Sequence, residues 1–223
     1  MPLRPQVVLF DYGNVLCLPQ DRQGVESMAA ILDSPVACFE EAYWKDRLAF
    51  DQAVITPEAY WTGIANALSR RLPDDVLRRL TEIDNTSWSR PNLVMTRWAS
   101  ALRAAGIRTA VLSNMPISVR SHLRSVKWMP QFDYSCYSCD VGCAKPEPAI
   151  YRDCLKGVGA DAAATLFLDD REENIEAARK LGIHTIHFAD PEQAQKEIDK
   201  HYQLPIRIGA NGSPGSPVVE SSF

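Results

Sequence analysis

The chain predicts an α/β protein, a Rossmann-like parallel sheet interrupted after its first strand by a helical insert. Three observations carry this. The run Val7-Val8-Leu9-Phe10 is β-branched and aromatic, ends abruptly at Asp11, and reads as a buried strand. The stretch from about residue 20 to residue 90 has helical spacing and no convincing strand. From residue 91 onward strands and amphipathic helices alternate, which implies parallel strands covered on both faces.

In the insert, Val25, Met28, Ala29, Ile31 and Leu32 recur at helical spacing, and so do Val36, Phe39, Tyr43 and Trp44. Thr56-Pro57-Glu58 is a helix start, with Thr as cap and Pro in the first turn, and Tyr60, Ile64, Ala67 and Leu68 line one face. Pro73-Asp74-Asp75 opens a fourth helix, with Val76, Leu77 and Leu80 apolar. Beyond it, Leu93 to Ala105 is a helix closed by Gly106, and Ile107 to Leu112 is a strand. Phe132 to Cys139 is a further strand, and Ala149 to Val158 a helix closed by Gly159. Thr165 to Leu168 is a strand ending at Asp169. Ile175 to Leu181 is a helix closed by Gly182, and His184 to Phe188 the last strand. Glycine after each of these helices suits a left-handed cap. The division is an α/β core of residues 1–19 and 91–208, a helical insert of residues 20–90, and a flexible Gly-, Ser- and Pro-rich tail of residues 209–223.

The chain has 223 residues, enough for one large domain or a core carrying an insert, and enough to bury a core without staples. Twenty-four basic and 28 acidic residues leave a net charge of −4, which offers no electrostatic footprint for nucleic acid or an anionic membrane. No apolar run approaches the roughly 18 residues that span a bilayer, and Met1-Pro2-Leu3-Arg4-Pro5 has no apolar signal core. A cytoplasmic protein is expected, a monomer or a homodimer, with no nucleic-acid or membrane partner. Six cysteines (Cys17, Cys38, Cys136, Cys139, Cys143 and Cys154) miss the paired spacing of a zinc site and read as free thiols. His184 and His187, three apart in a strand, face opposite sides.

Ligands of open parallel sheets bind at the carboxyl ends of the strands. Polar groups follow four predicted strands: Asp11-Tyr12-Gly13-Asn14-Val15, then Ser113-Asn114, then Lys145-Pro146, then Asp169-Asp170 with Asn174. Alone, each suits a turn or a helix cap. Together, in order, they would meet in one crevice. Three carboxylates and a backbone carbonyl suit a hard cation such as Mg2+. A lysine offsets surplus negative charge and holds a phosphate oxygen. A hydroxyl and main-chain N–H groups bind the others, and an exposed carboxylate can attack phosphorus.

These segments resemble the four motifs of the haloacid dehalogenase-like (HAD) hydrolases: Asp-x-x-x-Val after the first strand, Leu-Ser-Asn, Lys-Pro-Glu-Pro-Ala-Ile-Tyr, and Phe-Leu-Asp-Asp-x-x-x-Asn. The resemblance covers roughly residues 6 to 190, and the insert is similar to the mobile cap of the commonest subgroup. It implies a Mg2+-dependent phosphatase acting on a small phosphorylated molecule, with sugar phosphates among the substrates of the most similar branch. Asp11 is then the nucleophile. Asp11, Asp170 and the Gly13 backbone carbonyl face the metal, with Asp169 helping directly or through water. Ser113 and Asn114 bind the phosphoryl group, Lys145 stabilises it, and Asn174 and Arg171 support the acidic loop.

One position departs from the pattern. Family phosphatases read Asp-x-Asp, whose second Asp protonates the leaving group and activates water, and Gly13 stands there. The Asp-x-Gly-Asn-Val form resembles a branch that includes bacterial sugar-phosphate phosphatases. The phosphatase domain of bifunctional epoxide hydrolases is similar but keeps the second Asp. Substrates with acidic leaving groups are therefore expected, unless a residue of the insert or a water supplies the proton; Asp21 is a candidate. Tyr43, Trp44, Tyr60, Trp61 and Trp88 of the insert read mainly as core. Two related readings stay open: a metal-independent 2-haloacid dehalogenase, in which Asp11 attacks carbon, and a phosphate-binding relative weakened by Gly13. A dinucleotide-binding protein is disfavoured, because no G-x-G-x-x-G follows the first strand.

Overall fold

The computed structural model describes residues 2–209, so the expected tail lies, apart from Gly209, outside the described residues. Five strands form the sheet: β1 (Val7–Phe10), β2 (Arg108–Ser113), β3 (Tyr134–Tyr137), β4 (Thr165–Asp169) and β5 (His184–His187). Their order is β3-β2-β1-β4-β5, all parallel. β1 is central: Phe10 lies opposite Val111 on one side and Leu168 on the other. The chain leaves β1 toward β2 on one flank and β4 on the other, and such a switch point opens a crevice at the carboxyl edge.

The unbroken apolar run of β1 follows from burial on both faces. Val8 and Phe10 face α6 (Leu93–Ala104), α7 (Ile117–Leu123) and α11 (Pro191–His201), packing with Trp98, Val119 and Ile198. Val7 and Leu9 face α9 (Pro148–Val158) and α10 (Glu172–Lys180), packing with Ile150, Tyr151 and Ile175. Period-two alternation thus sorts one strand into two cores.

Between β1 and β2 the chain forms α1 (Arg22–Ile31), α2 (Val36–Lys45), α3 (Arg47–Asp51), α4 (Pro57–Ala67) and α5 (Asp74–Ser87). These helices bury a separate apolar cluster around Met28, Phe39, Tyr43, Phe50, Trp61 and Leu80. Thr56 caps α4 by accepting from the Ala59 N–H at 3.2 Å, and Pro57 begins it. Gly24 lets α1 cross α5, since a Cβ there would stand 2.7 Å from the Ser87 Cβ.

Several elements differ from expectation. The strand expected over Phe132 to Cys139 is restricted to β3, because Ser138 starts the short helix α8 (Ser138–Val141). The Ser138 hydroxyl is drawn out of the strand by bonds to the Asp51 carbonyl (2.5 Å) and the Met115 N–H (2.9 Å). The insert has five helices rather than four, α3 being too short to show periodicity. Helix α10 starts at Glu172, ahead of its first apolar residue, and α7 and α11 are two further helices of the core. The cysteines are free thiols, and Cys17, Cys136, Cys139 and Cys154 are buried. Among the described residues no helix is long and apolar enough to cross a membrane.

Candidate active site

At the carboxyl edge of the sheet, under the inserted helices, lies a cavity of about 640 Å3. Its floor includes Asp11, Gly13, Asn14, Ser113, Asn114, Lys145 and Asp170, and its roof includes Trp44, Arg47, Leu48, Asp51 and Trp88. All four strand-end segments therefore contribute to one site.

Asp11 leaves β1 as the chain enters a wide turn over Tyr12–Leu16, closed by the Cys17 N–H on the Tyr12 carbonyl at 2.8 Å. Asn14 adopts the left-handed region (φ 59°), which Asn tolerates better than most residues. Asp11 Oδ1 accepts from the Tyr12 N–H at 2.6 Å and pairs with Lys145 Nζ at 2.8 Å. The described bonds to this carboxylate all fall on Oδ1, which leaves Oδ2 for an incoming group.

Lys145 is buried, and its Nζ also reaches Asp169 Oδ2 at 2.6 Å. Burial favours the neutral amine, but Asp11 and Asp169 more than offset it, so the Lys145 pKa lies above its ordinary value. Asp11 is pushed above the usual carboxylate range by burial; Lys145 pulls it down, while Asp169 and Asp170 add to the rise. Two carboxylates share one ammonium here, and a third stands alongside.

Asp169 is the most engaged of these groups. Its Oδ1 accepts from the Arg171 N–H (2.8 Å) and Asn174 Nδ2 (3.0 Å), and its Oδ2 from Lys145 and again Asn174 (3.1 Å). Both oxygens are thus committed, which suits a residue that aims Lys145 rather than one that binds a cation directly. Asn174 in turn is held by the Tyr151 hydroxyl, which donates to its carbonyl at 2.9 Å. Arg171 supports the acidic loop through its main chain, while its exposed guanidinium pairs with Glu173.

Asn114 has a structural task that the sequence did not show. Its Nδ2 donates to the Lys145 carbonyl at 2.9 Å, and its Oδ1 accepts from the Lys145 N–H at 2.8 Å. Both ends of the amide are used to clamp the Lys145 loop to the end of β2, and the second Nδ2 hydrogen has no partner among the described residues. Ser113, buried beside it, has no side-chain hydrogen bond among the described residues. Asp21 does not line the cavity; it lies at the start of α1 with Arg90 at 3.8 Å.

Two contributors escaped the sequence reading. Asn14 Nδ2 donates to Asp170 Oδ2 at 2.7 Å and so orients that carboxylate from across the crevice. Its signal was its place in Asp-x-Gly-Asn, which a turn also explains. Asp51 enters from α3, with no local pattern to announce it.

A divalent cation fits the donor set. Asp11, Asp169 and Asp170 each offer a carboxylate oxygen, and these atoms lie within 4.8 Å of one another. Three carboxylates stand here against one ammonium, so the cluster carries surplus negative charge. With Asp169 engaged by Lys145, Asp11 and Asp170 are the carboxylates that would hold a cation directly, and Gly13 would offer only its main chain.

The fold and the placed acids define an α/β protein with an acidic, lysine-bridged site at the carboxyl edge of its sheet, and comparison with known proteins supplies the family. Residues 5–182 match the haloacid dehalogenase-like hydrolase family. The chain belongs to that family and is a HAD hydrolase. It is 28% identical over 214 residues to bifunctional epoxide hydrolase 2 of Rattus norvegicus, across 87% of this chain and 38% of the relative. A sesquiterpene phosphatase of Aspergillus oryzae is 25% identical over 190 residues, 83% of this chain and 90% of the relative. A HAD family enzyme of Bacteroides thetaiotaomicron, solved with magnesium and inorganic phosphate, superposes with a TM-score of 0.67 at 24% identity, covering 82% and 93% of the two chains. The chain spans well under half the length of the epoxide hydrolase.

Proposed function

We propose that this protein is a Mg2+-dependent phosphatase that hydrolyses a small phosphomonoester through an aspartyl-phosphate on Asp11. The observation that carries this is the buried arrangement of Asp11, Lys145 and Asp169 beside Asp170, at the floor of a cavity of small-molecule size. Support comes also from relatives named as phosphatases and from a structural neighbour solved with magnesium and phosphate. Asp11 Oδ2 attacks phosphorus while Lys145 and the Tyr12 N–H hold Oδ1 in place. Lys145 and the Ser113 hydroxyl then meet charge on the phosphoryl oxygens. Asp11, Asp170 and the Gly13 carbonyl would hold Mg2+, which neutralises charge on the transferred group.

The roof gives the substrate its character. Trp44 and Leu48 are large, half exposed and line the cavity with Trp88, and Arg47 stands among them. This wall suits a leaving group with an apolar or ring face, including the face of a sugar. Closure of the inserted helices would exclude water during transfer.

The test is turnover of a panel of sugar, aryl and alkyl phosphates with Mg2+, repeated with chelator and with Asp11→Asn. Phosphate release that needs Mg2+ and Asp11, with one phosphoryl group recovered on Asp11 after acid quench, is expected. Halide release from 2-haloacids that survives chelator would replace this reading with the dehalogenase. Phosphate binding without turnover would leave a non-catalytic relative.

A further inference from the structure

The phosphatase reading leaves one requirement unmet. Gly13 stands where a proton donor would be, and nothing in the backbone demands glycine: its φ is −62°, and a Cβ would meet only Trp88, at 3.8 Å. A positioned acid is worth about 10²- to 10⁴-fold for an unactivated leaving group.

The described side chains that line the cavity leave one candidate. Asp11 is the nucleophile, Asp170 belongs to the acidic cluster, and Lys145 is held in its charged form by Asp11 and Asp169. The Tyr12 hydroxyl donates to the Trp88 carbonyl, Glu173 is exposed and paired with Arg171, and Arg47 does not deprotonate. Asp51 remains.

Asp51 is the last residue of α3, and its place is tied to the sheet. Its carbonyl accepts from the Ser138 hydroxyl at 2.5 Å, and that same hydroxyl accepts from the Met115 N–H at 2.9 Å, directly after Ser113-Asn114. Its Oδ1 accepts from Arg47 Nε at 2.8 Å, and no described bond falls on Oδ2. Arg47 is shared, because its Nη1 also contacts both oxygens of Asp84 at 3.2 Å. The charged and titratable groups facing Asp51 are Arg47 from its own helix, Asp84 from α5 and Arg171 from the loop after β4, with Tyr43 and Tyr60 behind Arg47. Burial pushes the Asp51 carboxyl up to about 6, against the pull of Arg47. A group in that range gives and takes a proton near neutrality.

We infer that Asp51, carried by the insert, is the general acid and base that Gly13 does not provide; this rests on the phosphatase reading. As the bond from Asp11 Oδ2 to phosphorus forms and the ester P–O bond breaks, the Asp51 proton passes to the leaving oxygen. The Asp51 carboxylate then takes a proton from the water that attacks phosphorus. The Asp11–phosphorus bond breaks, phosphate leaves, and Asp51 is protonated again.

The test compares kcat/KM, which reads the first transfer, for an alkyl phosphate and for 2,4-dinitrophenyl phosphate in the presence of Mg2+. Asp51→Asn should lose about 10²- to 10⁴-fold on the alkyl ester and far less on the dinitrophenyl ester. It should also accumulate phosphorylated Asp11, and its alkyl kcat/KM should no longer fall as the pH rises above the Asp51 pKa. Asp51→Glu should recover part of the loss, and adding Gly13→Asp to Asp51→Asn should restore alkyl turnover. Equal losses on both esters, or an unchanged alkyl rate, overturn the role of Asp51 while the phosphatase stands. Wild-type protein that neither turns over any ester nor phosphorylates Asp11 overturns both.

Discussion

Replacing Lys145 with Met tests whether the site is held together by one buried ammonium. Lys145 is 3% exposed and sits 2.8 Å from Asp11 and 2.6 Å from Asp169, which are 7% and 0% exposed. Removing one partner of a buried pair costs about 3–5 kcal/mol, because the other charge is left uncompensated. Two features place this site near the lower end. Asp169 keeps its bonds from Asn174 and the Arg171 N–H. Asp11, its pKa already raised, can take up a proton instead of remaining an unpaired anion. A loss of about 3 kcal/mol in a chain of this size lowers Tm by roughly 6–12 °C. The pH dependence has a definite sign. With Lys145 gone the folded pKa of Asp11 rises further above its unfolded value, so the folded state holds a proton that the unfolded chain releases. Stability from that proton is greatest below the unfolded pKa of about 4 and is lost as pH climbs toward the folded value. Wild-type Asp11 shares that loss up to its own raised pKa of about 7, so the Tm deficit of Lys145→Met, measured by thermal melts in chelator, should stay level below about pH 6 and widen from about pH 7 upward. Adding Asp11→Asn should recover part of it. A deficit under about 2 °C, or one that widens toward acid, would refute the argument.

Asn14→Ala should weaken Mg2+ binding about 10- to 100-fold by freeing Asp170 from its only described side-chain partner, read by titration calorimetry; Asn14→Gly, which suits the left-handed backbone, should show the same weakening with the thermal melt in chelator little changed. Asp84→Ala strips Arg47 and the Tyr43 hydroxyl of a partner that is 1% exposed, and should cost about 3–5 kcal/mol in urea unfolding, with Asp84→Asn costing less. Trp44→Ala should raise KM about two- to twelvefold for ring-bearing esters, from roughly 0.5–1.5 kcal/mol per aromatic contact, without changing inhibition by inorganic phosphate.

What was legible in the sequence was what repeats or stops. The run Val7–Phe10 is apolar throughout because both its faces are buried, and its end at Asp11 marks the carboxyl edge of the sheet. The same signal at Leu168-Asp169 placed the acidic loop on the neighbouring strand. Groups acting across long separations were not legible. The Asn114 amide matches the N–H and C=O of Lys145, 31 residues away, and only the fold brings that donor and acceptor to it. That Asp169 serves the site mainly by holding Lys145 is not legible in the sequence, where the two adjacent acids are alike as letters. Their difference lies in burial, Asp169 being enclosed by Lys145 and Asn174 and Asp170 facing the cavity. The five residues of α3 span little more than one turn, too short for a periodic pattern.

That α3 escapes notice bears on how such a site is assembled. An acid two residues after the nucleophile would sit on the rigid end of β1 and be ready whether or not the inserted helices are in place. An acid on α3 arrives with them. Its registration depends on the Ser138 hydroxyl bridging the Asp51 carbonyl and the Met115 N–H, and Gln52 Nε2 adds a second link to Glu147 at 2.6 Å. Proton transfer to the leaving group is then coupled to the closure that excludes water. Substrates that hold the inserted helices down, through Trp44 and Leu48, gain rate as well as affinity, and those that do not are left with an intact nucleophile and no acid.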